Sequence, residues 1–202
     1  MMNKDNDRDK IIKIKMLLDE LLIEKIIETE FKPIGIIDIV NDIARKRYVP
    51  QNDITRKKGI IIHHSWTHSS LKGSNPKAYA NYHVNNKGWP CIGYDYVCQP
   101  REGLVYKTAE LEDKNYHSGK VNSLYYGICI SGNYDDELMT EKNYELIVSA
   151  ILALIKEHEG KLNEKWIPEI YGHRDFSSKS CPGNNVSIEK IKNMIKEIKE
   201  RK

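Results

Sequence analysis

From its amino terminus the chain opens on a helical rhythm. Ile14, Leu17, Leu18, Leu21 and Leu22 recur between Lys and Glu at three- and four-residue spacing, which predicts an amphipathic helix over about residues 10–30. The Lys32-Pro33 step ends it, because the residue before a proline is driven out of the helical region. Ile36, Val40 and Ile43 share one side of a second short helix predicted over 36–43. The basic, Pro-containing stretch from Arg45 to Lys58 reads as a linker into a main domain.

From Gly59 onward short apolar runs alternate with helical ones. Strands are predicted at Ile60–His63, Gly93–Cys98, Leu104–Lys107 and Gly127–Ser131, with Pro100-Arg101-Glu102-Gly103 as a hairpin turn between two of them. A helix is predicted near Pro76–Asn85. A longer one is capped by Thr140, carries Ile147, Ala150, Ile151, Leu154 and Ile155 on one face, and stops at Gly160. Ser187 caps a last amphipathic helix. Interleaved strands and helices with at least one hairpin make an α/β domain with a mixed sheet. The organisation is therefore a helical extension and linker over residues 1–58 and one domain over 59–202.

Bulk numbers narrow the class. A chain of 202 residues holds one well-packed core with an appendage. Its 32 basic and 29 acidic residues leave a net charge of +3 with no long block of one sign. That is a mild lean toward an anionic partner and excludes a nucleic-acid footprint. No run approaches the ~18 apolar residues of a membrane span, so no integral membrane segment is expected. The amino terminus lacks a secretory pattern, and the chain is expected to be finished in the cytoplasm. Four cysteines, Cys91, Cys98, Cys129 and Cys181, show no C-x-x-C pairing and read as reduced. Oligomeric state is left open.

The candidate chemistry begins at "IIIHHS", where His63 and His64 end an apolar run. Successive strand side chains point to opposite faces, so the two cannot enter one site together. A histidine there is ordinarily a structural residue. What changes the picture is "GHRDFSSKSCPG", Gly172 to Gly183, a loop-like segment after the Ile167–Tyr171 run that carries His173 and Cys181. One strand-end histidine, His173 and Cys181 make a His, His, Cys set, and three protein donors match a catalytic rather than a structural zinc site.

Together with "GWPCIGYDYV" and "YHSGKVNSLYYGICISGNY", these segments resemble, in order and separation, the zinc-dependent N-acetylmuramoyl-L-alanine amidases of the type 2 class. That family shares its fold with peptidoglycan recognition proteins and amidase-type phage lysozymes, and the resemblance covers about residues 59–200. It implies a mixed, mostly parallel β-sheet flanked by helices, here with the N-terminal helical extension added. It implies Zn2+ held by His63, His173 and Cys181, with His64 turned away. Tyr94 in "GYDY" falls on the family's active-site tyrosine and Lys179 on its active-site lysine. His117 falls on a cleft-edge histidine taken as a substrate contact, with Trp89 and Asn122 as further candidates for the cleft wall. The implied partner is peptidoglycan, and the implied reaction is zinc-assisted hydrolysis of the amide between N-acetylmuramic acid and L-alanine.

Three readings stand beside each other. A phage or prophage endolysin reaches the wall after release from the cytoplasm; a cytosolic amidase trims recycled muropeptides; a recognition module binds without cutting. Binding-only members of the fold tend to lack the cysteine ligand, whereas all three ligand positions and both catalytic positions are filled here. The N-terminal extension either packs its apolar stripe on the domain or serves wall targeting or dimerisation.

Overall fold

The computed structural model describes residues 34–200, and the helix expected over 10–30 lies outside them. Six strands form one sheet: β1 Ile36–Asp38, β2 Gly59–His64, β3 Tyr96–Gln99, β4 Leu104–Lys107, β5 Tyr125–Ile130 and β6 Glu169–Gly172. Their spatial order is β1-β4-β3-β5-β2-β6. β3 and β4 pair antiparallel across the expected Pro100–Gly103 turn, where Gly103 supplies a φ of +66°. The other pairings are parallel, so the sheet is mixed and mostly parallel.

Among the described residues three α-helices flank it: α1 Pro76–Asn81, which continues as a wider turn through Asn86, α2 Glu141–Leu162 and α3 Ile188–Glu200. Each starts on a side-chain cap. The Asn75, Thr140 and Ser187 oxygens accept the backbone N–H of Ala78, Asn143 and Lys190 at 2.9, 3.2 and 3.1 Å. Among the described residues, no helix is long and apolar enough to cross a membrane.

Two expectations are corrected. Residues 36–43 are not a helix: Ile36–Asp38 pairs with β4 as an edge strand, and the Asp38 carboxylate then accepts the Val40 N–H at 3.0 Å to turn the chain. The β-branched run takes the sheet edge offered to it, while Ile39, Val40 and Ile43 bury beyond the turn. Nor does Gly160 end its helix. α2 runs on to Leu162 and stops at Asn163, whose φ of 53° is the left-handed conformation that Asn tolerates at a helix end.

Register assigns the faces. His63, Cys129 and Val97 lie side by side on one face, and Ile62, Ile128 and Tyr96 on the other. α2 covers the second face, where Tyr126 Oη meets His158 Nδ1 at 3.1 Å and Tyr96 Oη donates to Glu157 at 2.8 Å. The first face is covered by Tyr79 and Ala80 of α1 with Ile39, Ile43 and Ile92. Cover on both faces explains why β2 reads as an unbroken apolar run. Ile60, Ile61 and Ile62 are fully buried, each contributing about 1.5–3 kcal/mol. The run delivers His63 to the carboxyl end of its strand.

Candidate metal centre

His63 is held by β2 on the face it shares with Cys129. His173 is the first residue after β6, the strand beside β2, so two paired strands bring the imidazoles to a centroid separation of 4.5 Å. Cys181 arrives on the loop that follows. Arg174 N–H donates to the Cys181 carbonyl at 2.6 Å, and the Arg174 guanidinium donates to the carbonyls of Gly183 and Val186. From the other side Asp135 accepts from Ser180 Oγ at 2.6 Å and Asn184 N–H at 2.9 Å. The thiol so placed lies 3.7 Å from His63 Nδ1. One donor atom from each of His63, His173 and Cys181 lies within 4.8 Å of the others.

His64 faces away, where its Nδ1 accepts the Tyr134 N–H at 3.1 Å. The strand alternation expected for "IIIHHS" holds.

A cavity of about 470 Å³ opens over this cluster, lined also by Trp66, Trp89, Tyr94, Tyr116, His117, Asp135 and Lys179. Tyr94 stands 5.4 Å from the His63 ring, centroid to centroid. His83 stacks on Trp89 at 4.6 Å and meets Tyr94 edge-on, which fixes the Tyr94 side of the wall. Of the expected site residues, the fold thus brings together His63, His173, Cys181, Tyr94, Lys179, Trp89 and His117.

Asn122 does not join them. Its Oδ1 accepts the backbone N–H of His117 at 3.0 Å and of Ser118 at 2.6 Å, so it ties down the loop that carries His117. His117 itself touches the cluster directly, with Nδ1 3.0 Å from His63 Nε2. Its Nε2 lies 3.1 Å from the Tyr125 carbonyl.

The electrostatics follow from burial. It holds His63 well below the ordinary imidazole pKa, reinforced by His117 and His173. Burial and the Lys57 charge push His117 down to about 3. His173 is lowered by burial and by Lys179. Burial raises the Cys181 thiol to about 11 and Tyr94 well above its ordinary value. Neutral imidazoles with free lone pairs and a thiol that a neighbouring cation would ionise suit a zinc ion, whereas calcium and magnesium seek oxygen donors.

Sequence reading missed Trp66, Tyr116, Asp135 and Lys57. Trp66 carried a signal, being a large aromatic two residues past the histidine pair. Lys57 carried none: it is 6% exposed, lies over the Tyr126 ring, and donates to the carbonyls of Tyr125 and Asn122 at 3.0 and 3.3 Å. Cys91, Cys98 and Cys129 are free, as expected, and all three are buried.

Comparison with known proteins adds to this geometry. A family model described as N-acetylmuramoyl-L-alanine amidase matches residues 51–184. Peptidoglycan-recognition protein SC1a of Drosophila melanogaster is 32% identical over 108 residues, 52% of this chain and 55% of that protein. An N-acetylmuramoyl-L-alanine amidase of Sus scrofa is 27% identical over 131 residues, 62% of this chain and 21% of its own length. The match thus spans about half of the first relative and a fifth of the second. Among solved structures, the endolysin N-acetylmuramoyl-L-alanine amidase LysCS from Clostridium intestinale superposes with a TM-score of 0.64 at 22% identity, covering 80% of this chain and 95% of that one. This last likeness shows the fold.

Proposed function

Because the chain belongs to the N-acetylmuramoyl-L-alanine amidase family, we propose that it is a catalytic, zinc-dependent member that cleaves the amide between the lactyl group of N-acetylmuramic acid and L-alanine in peptidoglycan. The observation that carries this reading is the meeting of His63, His173 and Cys181 donor atoms within 4.8 Å under a cavity that also holds Tyr94 and Lys179. A surface that only bound peptidoglycan would have no need of a thiol set among neutral imidazoles.

His63, His173 and Cys181 would hold the ion. What zinc supplies when bound is Lewis acidity, toward a carbonyl oxygen and toward water. The Tyr94 hydroxyl, kept protonated by burial, donates a hydrogen bond toward the oxygen on which negative charge grows. Lys179, exposed at the cavity rim, adds a positive charge on that side. Donors preset toward developing charge lower the barrier because they need no reorganisation as it forms. Trp89, Tyr116 and Trp66 give the cavity aromatic walls suited to a ligand with apolar faces and polar edges.

As to biological role, we favour a phage or prophage endolysin that meets the wall after release from the cytoplasm. The likeness to an endolysin amidase supports this reading.

The test is elemental analysis of the purified chain, paired with release of L-alanine amino termini from peptidoglycan by wild type and Cys181→Ser. One zinc per chain and loss of release in the variant or on chelation are expected. Metal-free protein that binds walls without cutting them would make it a recognition module.

A further inference from the structure

The contact between His63 and His117 has a direction that the surrounding atoms determine. The Tyr125 carbonyl can only accept, so His117 Nε2, 3.1 Å away, carries its proton. The same carbonyl accepts from Lys57 Nζ at 3.0 Å, and Lys57 is 6% exposed. A second proton on His117 would set two buried cations on one oxygen, which interior electrostatics disfavours. His117 Nδ1 is therefore a lone pair, and it lies 3.0 Å from His63 Nε2. His63 Nε2 must be the donor, which leaves His63 Nδ1 unprotonated. That is the atom lying 3.7 Å from Cys181 Sγ.

We infer that His117 is a positioning residue that fixes the tautomer of His63, so that Nδ1 presents a lone pair to the metal centre. Zinc-bound histidines typically donate their other ring N–H to an acceptor that orients them. Here the acceptor is a second histidine, itself oriented by a carbonyl. The relay runs from the Tyr125 carbonyl through His117 to His63, and Asn122 holds the His117 backbone in place. In the other tautomer of His63 an N–H, not a lone pair, would face Cys181 Sγ. This role goes beyond the cleft-edge contact expected from sequence, and it rests on the zinc reading above.

Two substitutions separate the halves of the His117 ring. His117→Asn keeps an amide oxygen where Nδ1 accepts from His63 and gives up the Tyr125 bond. His117→Gln reaches the Tyr125 carbonyl with its amide nitrogen and gives up the acceptor for His63. Two readouts are taken on wild type and both variants: zinc affinity by chelator competition, and the His63 tautomer by 15N NMR on zinc-free protein. Wild type and His117→Asn are expected to show the Nε2–H form of His63 and zinc affinities within about threefold of each other. His117→Gln is expected to lose that preference and bind zinc about 10–100-fold more weakly. Equal zinc affinity in all three proteins, or equal weakening in both variants, would overturn the relay. So would a His63 tautomer indifferent to His117, even where wild type binds zinc normally. A wild type that binds no zinc while its His63 tautomer still follows His117 would sink the metal reading and leave the positioning role standing.

Discussion

Gly127 makes room for His117: a Cβ built on this glycine would stand 2.9 Å from His117 Cγ and 3.1 Å from Nδ1. The body of a ring cannot yield as the end of a flexible side chain would, so the missing side chain on β5 is a condition for the His63–His117 contact. Gly127→Ala is expected to displace the ring and weaken zinc binding by about tenfold or more, the range seen when such supporting partners are lost. Metal titration beside a thermal melt checks this. A variant that melts lower yet binds zinc as tightly as wild type would contradict it.

Tyr94 and Cys181 line one cavity and should fail in different ways. Tyr94→Phe removes a hydroxyl and leaves all three candidate ligands in place. Zinc content should stay at the wild-type level while turnover on a muropeptide falls about a hundredfold to a thousandfold, as for loss of one donor to a developing oxyanion. Cys181→Ser should lose metal and turnover together. Measuring zinc content and rate on the same samples separates the two behaviours.

Gly160 sits inside α2 with no atom within 4 Å of a built Cβ, and its φ is not positive. Glycine in a helix interior costs about 0.5–1 kcal/mol relative to alanine. Gly160→Ala is therefore expected to raise stability by about that amount, read from denaturant midpoints, with zinc affinity and turnover unchanged.

The same glycine shows where sequence reasoning reached its limit. A glycine after a run of periodic apolar residues resembles a stop signal, but here Lys161, the next residue, pairs with Glu112, and the left-handed turn that ends the helix falls on Asn163 instead. Tertiary pairing likewise turned Ile36–Asp38 into an edge strand. What was legible rests on local chemistry: the caps at Thr140 and Ser187, the Pro100–Gly103 hairpin, and the alternation that parts His63 from His64. A His, His, Cys set was legible from residue chemistry, but the choice of His63 as its first member came through family resemblance, because that histidine is distant in sequence from His173 and Cys181 and leaves no local trace of their meeting. The turn of Asn122 toward backbone, the reach of Lys57 to Tyr125 and the space above Gly127 depend on distances no periodicity encodes.

Trp66 holds a left-handed φ of 59° while 75% of its surface is exposed. A bulky residue rarely adopts that conformation, and such strain gathers at functional positions. Trp66 lines both the cavity over the His63, His173 and Cys181 cluster and a second cavity of about 380 Å³ lined also by Thr67, Tyr79, Tyr82, His83 and Tyr94. Trp66→Ala is expected to raise KM for muropeptides about three- to tenfold, the worth of an aromatic contact. Its kcat and melting temperature should stay near wild type, since little buried surface is lost. Steady-state kinetics that show a fall in kcat with KM unchanged would rule out a substrate-holding role.

Glu137 anchors the loop that carries Trp66. Its carboxylate accepts the Ser69 hydroxyl, the Ser69 N–H at 3.0 Å and the Asn133 N–H at 2.6 Å. Burial alone would raise its pKa, but these hydrogen bonds outweigh burial and bring it below the ordinary carboxylate range. A depressed folded pKa fixes the sign: the stabilisation is fully present above the ordinary Glu value of about 4.3 and is lost as pH falls through the lower folded value. Glu137→Gln sets an amide NH2 against groups that are themselves donors and should cost about 1–3 kcal/mol near neutral pH. The gap between wild type and variant should narrow as both are acidified below about pH 4. Stability curves from pH 7 to pH 3, with limited proteolysis of residues 65–74 as the local readout, check both parts. A gap that stays constant across that range would mean that the charge of Glu137 does not hold the loop.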